Sequence, residues 1–288
     1  MFEPFEFQFM VRAMLAASIV GALTASIGVF VVLRRLSYIG HGLAHSIFGG
    51  AVVSFVAGIN FYVGATIWGV LTVFLINGAS RRRQISGDAA VGIITTSAFA
   101  VGVLLISRNR TFTRDFEAAL FGEILGITDT DLIVTAVALA AVGLALFTFW
   151  KQLVFTTFDQ DVAGAYGVPI RTVEGVFSLA LAATVIASLQ VLGVTLIAAA
   201  LVIPPVAARL LTDSFSRMFA IAVVLGTLTG FFGAYLSWFV DSSSGATIVL
   251  LQAAVFVVAL SYAGARSRYR RRGVRETERI AGMERLLN

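Results

Sequence analysis

Apolar residues in this chain come in long unbroken blocks, separated by short stretches that carry most of the charge. The blocks run roughly 13–33, 42–59, 61–79, 89–107, 132–150, 174–191, 192–211, 218–239 and 245–265. Each is close to the ~20 residues that take an α-helix across a hydrocarbon core of about 30 Å. Lipid offers the backbone no hydrogen-bond partners, so such blocks must be helical or lie inside protein. The pattern predicts an all-α polytopic membrane protein with about nine transmembrane helices. The count becomes eight if the sixth and seventh blocks, joined almost without a loop, form one broken element.

Composition agrees. The 288 residues are 58% hydrophobic and 13% charged, against about 25% charged in soluble domains. Twenty of the 21 basic residues are arginine, and they collect between the blocks. Arg34-Arg35, Arg81 to Arg83, Lys151, Arg171, Arg209, Arg217 and the tail from Arg266 to Arg275 share one side if the N-terminus is outside and the C-terminus cytoplasmic. The connections at 58–60, 189–192 and 241–245 then lie outside and carry no basic residue. Arg108, Arg110 and Arg114 fall outside against this rule, accompanied by Asp115, Glu117 and Glu123. The net charge of +5 is thus accounted for by helix orientation and does not point to nucleic acid. Cysteine is absent, which excludes disulfides and thiolate metal sites. The acidic start, Met1-Phe-Glu-Pro-Phe-Glu6, does not read as a cleavable signal peptide.

Both histidines of the chain, His41 and His45, lie just after Arg34-Arg35 at the mouth of the second block. Four residues apart, they share one helix face a turn apart. Neutral imidazoles in that arrangement can hold one divalent ion; otherwise they hydrogen-bond carbonyls near the interface. A permanent cage would trap the ion, since conduction needs binding weak enough to release it. The expected site is therefore transient or gating, with no permanently bound cofactor.

Smaller features complete the reading. Residues 115–127 predict a short amphipathic helix at the outer interface, with Glu123 on its solvated side. The loop from Lys151 to Arg171 contains two helical turns N-capped by Asp159 and stopped by Gly167 and Pro169. Asp88 is placed as a helix N-cap and Asp241 as a turn residue. Pro204-Pro205 predicts a break or kink in the seventh block. The tail, 266–288, forms a basic cytoplasmic segment ending in a weak amphipathic helix.

Six segments, taken in order, resemble the permease subunit of the manganese, zinc and iron ABC importers, the ABC-3 family. They are Ser37-Tyr-Ile-Gly-His-Gly-Leu-Ala-His-Ser46, Gly87-Asp-Ala-Ala-Val-Gly-Ile93, Leu120-Phe-Gly-Glu-Ile-Leu-Gly-Ile127, Phe158-Asp-Gln-Asp-Val-Ala-Gly-Ala-Tyr-Gly167, Val194 to Leu211, and Ser244-Gly-Ala-Thr-Ile-Val-Leu250. The resemblance implies a permease of the type II importer class in a prokaryotic cell membrane, residues 1–265 forming the membrane domain. It also implies a homodimer working with a cytoplasmic ABC ATPase and an extracytoplasmic metal-binding protein. The segment at about 157–168 becomes the coupling helix, where Asp159, Ala163 and Gly167 leave a small-residue edge for the ATPase. Two positions depart from the family pattern: its aspartate falls on His41, while its histidine matches His45, and the proline of an outer turn falls on Ser243.

The transported ion is expected to be zinc or manganese, with iron a further member of the class. Imidazole in place of a carboxylate leans slightly toward zinc on softness. Two rivals stand beside this reading. A metal-chelate permease of the same architecture needs a wide pore without histidine ligands, and a secondary metal/proton transporter needs acidic residues at mid-membrane, where these blocks have almost none. An intramembrane enzyme is disfavoured, because no paired catalytic groups are present. No Walker-type glycine loop occurs, so ATP hydrolysis requires a separate chain.

Overall fold

The computed structural model describes residues 3–80, 86–108, 122 and 124–287. Arg81 to Arg83, Glu123 and the segment 115–121 lie outside these residues, as does the side chain of Asp88.

After a 3-10 turn at Glu3–Glu6, the chain forms α1 (Gln8–Leu33), α2 (Ser37–Val56), α3 (Phe61–Ser80) and α4 (Gly87–Arg108). A second 3-10 turn at Ile124–Gly126 precedes α5 (Asp129–Thr148), α6 (Trp150–Phe158), α7 (Gln160–Ala165), α8 (Ile170–Leu211), α9 (Phe215–Val240) and α10 (Ser244–Leu287). Among the described residues no strand occurs, and eight helices are long and apolar enough to cross a membrane.

One of the eight crosses twice. Helix α8 has 42 residues, about 63 Å if straight, twice a hydrocarbon core. Its Glu174 bonds Arg34 at the end of α1. Its Leu201 carbonyl and Pro205 ring press on Gly28, also in α1. Gly28 and Arg34 are about 9 Å apart along α1, while Glu174 and Leu201 would be about 40 Å apart on a straight helix. The chain must reverse between them. The only non-helical residue inside α8 is Gly193, at φ 70° and ψ 163°, a region open essentially to glycine. Among the described residues the bundle is therefore traversed nine times, with the sixth and seventh passes meeting at Gly193.

The prolines do not make this break. Pro204 and Pro205 sit inside continuous helix. Pro205 has no N–H for the Leu201 carbonyl four residues back; that carbonyl instead faces Gly28, where no Cβ would fit.

Small residues set the other close approaches, as expected between helices in lipid. Gly226 and Gly230 of α9 lie on Gly21 and Ala17 of α1, each with no room for a Cβ against the opposing carbonyl. Gly49 of α2 meets Ala98 and Gly102 of α4 in the same way. Helix α1 is the hub: Met10, Ala13, Leu23, Ile27 and Phe30 are fully buried. It begins at Gln8, five residues before the expected boundary, and Arg12 in its second turn pairs with Asp129 at 2.7 Å.

The two ends of the bundle are distinct. Phe7 stacks on Trp238 at 5.1 Å, placing the start of α1 beside the end of α9. At the other end Phe30, Trp150, Phe215 and Phe219 form an aromatic cluster. Residue 3 and residue 266 therefore lie at opposite ends. Asp241 closes α9 in the left-handed conformation, φ 50°, as a turn residue should.

Candidate metal and docking sites

Helix α2 opens at Ser37, directly after the Arg34–Leu36 corner, and carries His41 and His45 on its second and third turns. They stand about 6 and 12 Å along a helix about 30 Å long. The pair thus lies between the Arg34 end and the middle of the bundle. The imidazole Nε2 atoms are 3.1 Å apart. One ring donates to the other, so at least one imidazole is neutral.

The same separation suits a shared ion. Two ligand bonds of about 2.0–2.1 Å at a tetrahedral angle put the nitrogens about 3.3 Å apart. The rings meet edge to face at 81°, and His45 stands edge-on to Phe99 of α4. Nδ1 of His45 is buried with no hydrogen-bond partner among the described residues. Gly42, between the two histidines, has Thr95 Oγ1 2.9 Å from its Cβ position, so α4 closes tightly over this face. Among the described residues no third His, Cys, Asp or Glu joins the pair. Two imidazoles alone form an incomplete shell, which suits an ion in passage rather than a resident one.

A second feature lies at the Arg34 end. Sequence reasoning treats 151–158 as loop, but these residues form α6. Trp150, Leu153 and Val154, spaced i, i+3 and i+4, are the signal it missed. Asp159 then caps α7, its Oδ1 accepting from Val162 N–H at 2.9 Å. Gly167, at φ 82°, stops the helix, with its N–H on the Gly164 carbonyl.

Ala163 is fully buried within this chain. Of the expected small-residue edge, Asp159 and Gly167 are exposed, whereas Ala163 seats α7 on its own scaffold. Larger apolar side chains also face outward. Phe158 at the end of α6, Val162 in α7 and Tyr166 at its C-cap are 66, 41 and 80% exposed, apolar side chains on both sides of the Asp159 break. Exposed apolar patches mark interaction surfaces.

The ABC 3 transport family matches residues 6–263. The manganese transport system membrane protein MntC of Halalkalibacterium halodurans is 34% identical over 256 residues, 89% of this chain and 88% of that protein. The chelated iron transport system membrane protein YfeC of Yersinia pestis is 34% identical over 261 residues, 91% of this chain and 88% of that protein. Among solved structures, PsaBC from Streptococcus pneumoniae in complex with Fab superposes with a TM-score of 0.80 at 31% identity, covering 88% of this chain and 91% of that one.

Proposed function

This chain belongs to the ABC 3 transport family, and from that premise we propose that it is the permease of an ATP-driven importer of divalent transition-metal ions. It is an integral membrane protein and a transport subunit. The ion enters from an extracytoplasmic binding protein, passes His41 and His45, and leaves into the cytoplasm. In this reading the Arg34 end of the bundle is cytoplasmic, which puts the N-terminus outside and the tail inside. A cytoplasmic ATPase docks on the exposed side chains of Phe158, Val162 and Tyr166, and two copies of the chain form the pore.

The observation that carries this reading is the 3.1 Å separation of two imidazole nitrogens in a membrane-length helix. It favours a bare ion over a chelate, because a chelated metal has its ligands already. Imidazole suits zinc and ferrous iron better than manganese, whereas the relatives are named for manganese and iron. The test is ATP-dependent uptake of radiolabelled zinc, manganese and ferrous iron into vesicles holding the permease with its ATPase and binding protein. Uptake of at least one bare ion supports the assignment. Uptake of an intact chelate alone, or uptake driven by a proton gradient without ATP, overturns it.

A further inference from the structure

Movement of the docking element has to reach the histidines of α2, and one cluster of side chains spans that distance. Arg34 caps α1, three residues before α2 begins. By pattern it is an orientation signal, which works from solvent. In the fold its side chain is only 6% exposed. Its Nη1 donates to Glu174 Oε1 at 2.7 Å, its Nη2 to Thr156 Oγ1 and its Nε to Thr157 Oγ1, both at 2.9 Å. The guanidinium also lies 4.4 Å from the centre of the Phe177 ring.

The acceptors are set in advance. Both threonine hydroxyls donate to the Leu153 carbonyl, which leaves their lone pairs facing Arg34. Glu174 Oε1 accepts a second bond, from Gln160 Nε2 at 2.9 Å, and Gln160 is the first residue of α7. One planar fork thus joins the end of α1 to α6 and α8, and through Glu174 to α7. A buried guanidinium is costly unless fully paired, so this is a built arrangement.

The first turns of α2 also have space behind them. Leu36, Ile39 and Leu43 border a cavity of about 220 Å³ whose far wall includes Glu174 and Phe177. At about 100° per residue those three side chains lie opposite His41 and His45. The recess is partly open to the surface, so that side of α2 is not close-packed against a neighbour.

We propose that Arg34 is a positioning residue coupling the docking element to the metal path. Tilting of α7 passes through Gln160, Glu174 and Arg34 to the corner between α1 and α2. Helix α2 then shifts toward the cavity and resets the histidine pair on its other face. This rests on the role proposed above.

The experiment measures ions delivered per ATP hydrolysed, in vesicles holding the full chain with its ATPase and binding protein, using whichever bare ion the wild type carries. Gln160 is exposed, so Gln160→Ala removes one link without threatening the fold. Arg34→Lys keeps the charge but loses the fork. Both variants are expected to bind the ATPase and hydrolyse ATP like the wild type. Ions per ATP should fall severalfold for Gln160→Ala and about tenfold for Arg34→Lys, the worth of one charge-assisted hydrogen bond. The double variant should be no worse than Arg34→Lys, because the two act in one chain of contacts. An unchanged ratio in Gln160→Ala overturns the coupling even if Arg34→Lys does not fold. A parallel loss of ATPase binding and uptake overturns it as well, by showing a purely structural role. Absence of ATP-driven uptake by the wild type overturns the transport role itself, an outcome distinct from either.

Discussion

His41 and His45 place their Nε2 atoms 3.1 Å apart across one helical turn. The contact is a hydrogen bond between rings, and the metal role proposed for the pair rests on its being close to the spacing of two ligands on one ion. For both Nε2 atoms to face an ion, the donating ring must first give up its Nε2 proton or carry it on Nδ1 instead.

Removing either imidazole should cut metal uptake without unfolding the chain, since both side chains are half-buried. Even outer-shell partners of metal ligands are worth about 10–100-fold. His41→Ala and His45→Ala are each expected to lose at least about tenfold in uptake at low ion concentration. Equal uptake by wild type and both variants shows that the pair only bonds to itself.

The docking surface makes a prediction that differs from one drawn on small residues. Val162→Asp and Tyr166→Asp put charge on an exposed apolar surface, so the permease should still fold while co-purification with the ATPase is lost. Ala163→Asp should instead destabilise the α6–α7 corner itself, because Ala163 is fully buried. Thermal melting of the purified permease separates the two: unchanged for Val162→Asp, lowered for Ala163→Asp.

The reciprocal contact of Gly21 with Gly226 leaves no space for a methyl group. Gly226→Leu is expected to push α9 away from α1 and cost about 1–3 kcal/mol or more, the range for overpacking. A lower melting temperature checks it. Gly143, with open space around it, is the control: Gly143→Leu should leave the melting temperature near that of the wild type.

Gly193 carries a conformation that other residues adopt at a cost of about 1–3 kcal/mol. Gly193→Val should therefore lower the melting temperature, and a protease accessible only from the Phe7 end should cut the variant faster at this turn. Resistance equal to the wild type would show that the reversal does not depend on the glycine.

Much of this was legible before the fold was known. Blocks of apolar residues announce membrane helices because lipid leaves the backbone no alternative. The order of six motifs announced the family. The histidine spacing announced a shared face, since that follows from helical periodicity alone. Asp159, Gly167 and Asp241 were readable because caps and turns are local chemistry. Other features were not, because they depend on partners distant in the chain. The pairing of Arg12 with Asp129 joins residues more than a hundred positions apart. Pro204-Pro205 looked like a break, yet Gly28 receives the freed carbonyl. The reversal itself was legible, since the sixth and seventh blocks meet at 191 and 192; that Gly193, one glycine among 27, makes it was not.

The sequence by itself determined that the chain is helical, membrane-spanning and a metal-importer type of permease, because hydrophobic length, charge placement and local motifs act over a few residues each. Only the tertiary structure decided what the small residues and the first arginines do. Ala163 turned inward, Phe158, Val162 and Tyr166 turned outward, and Arg34 became a buried junction. Burial and pairing of that kind are set by helices meeting across more than a hundred residues of chain, and no local pattern records which face will meet which.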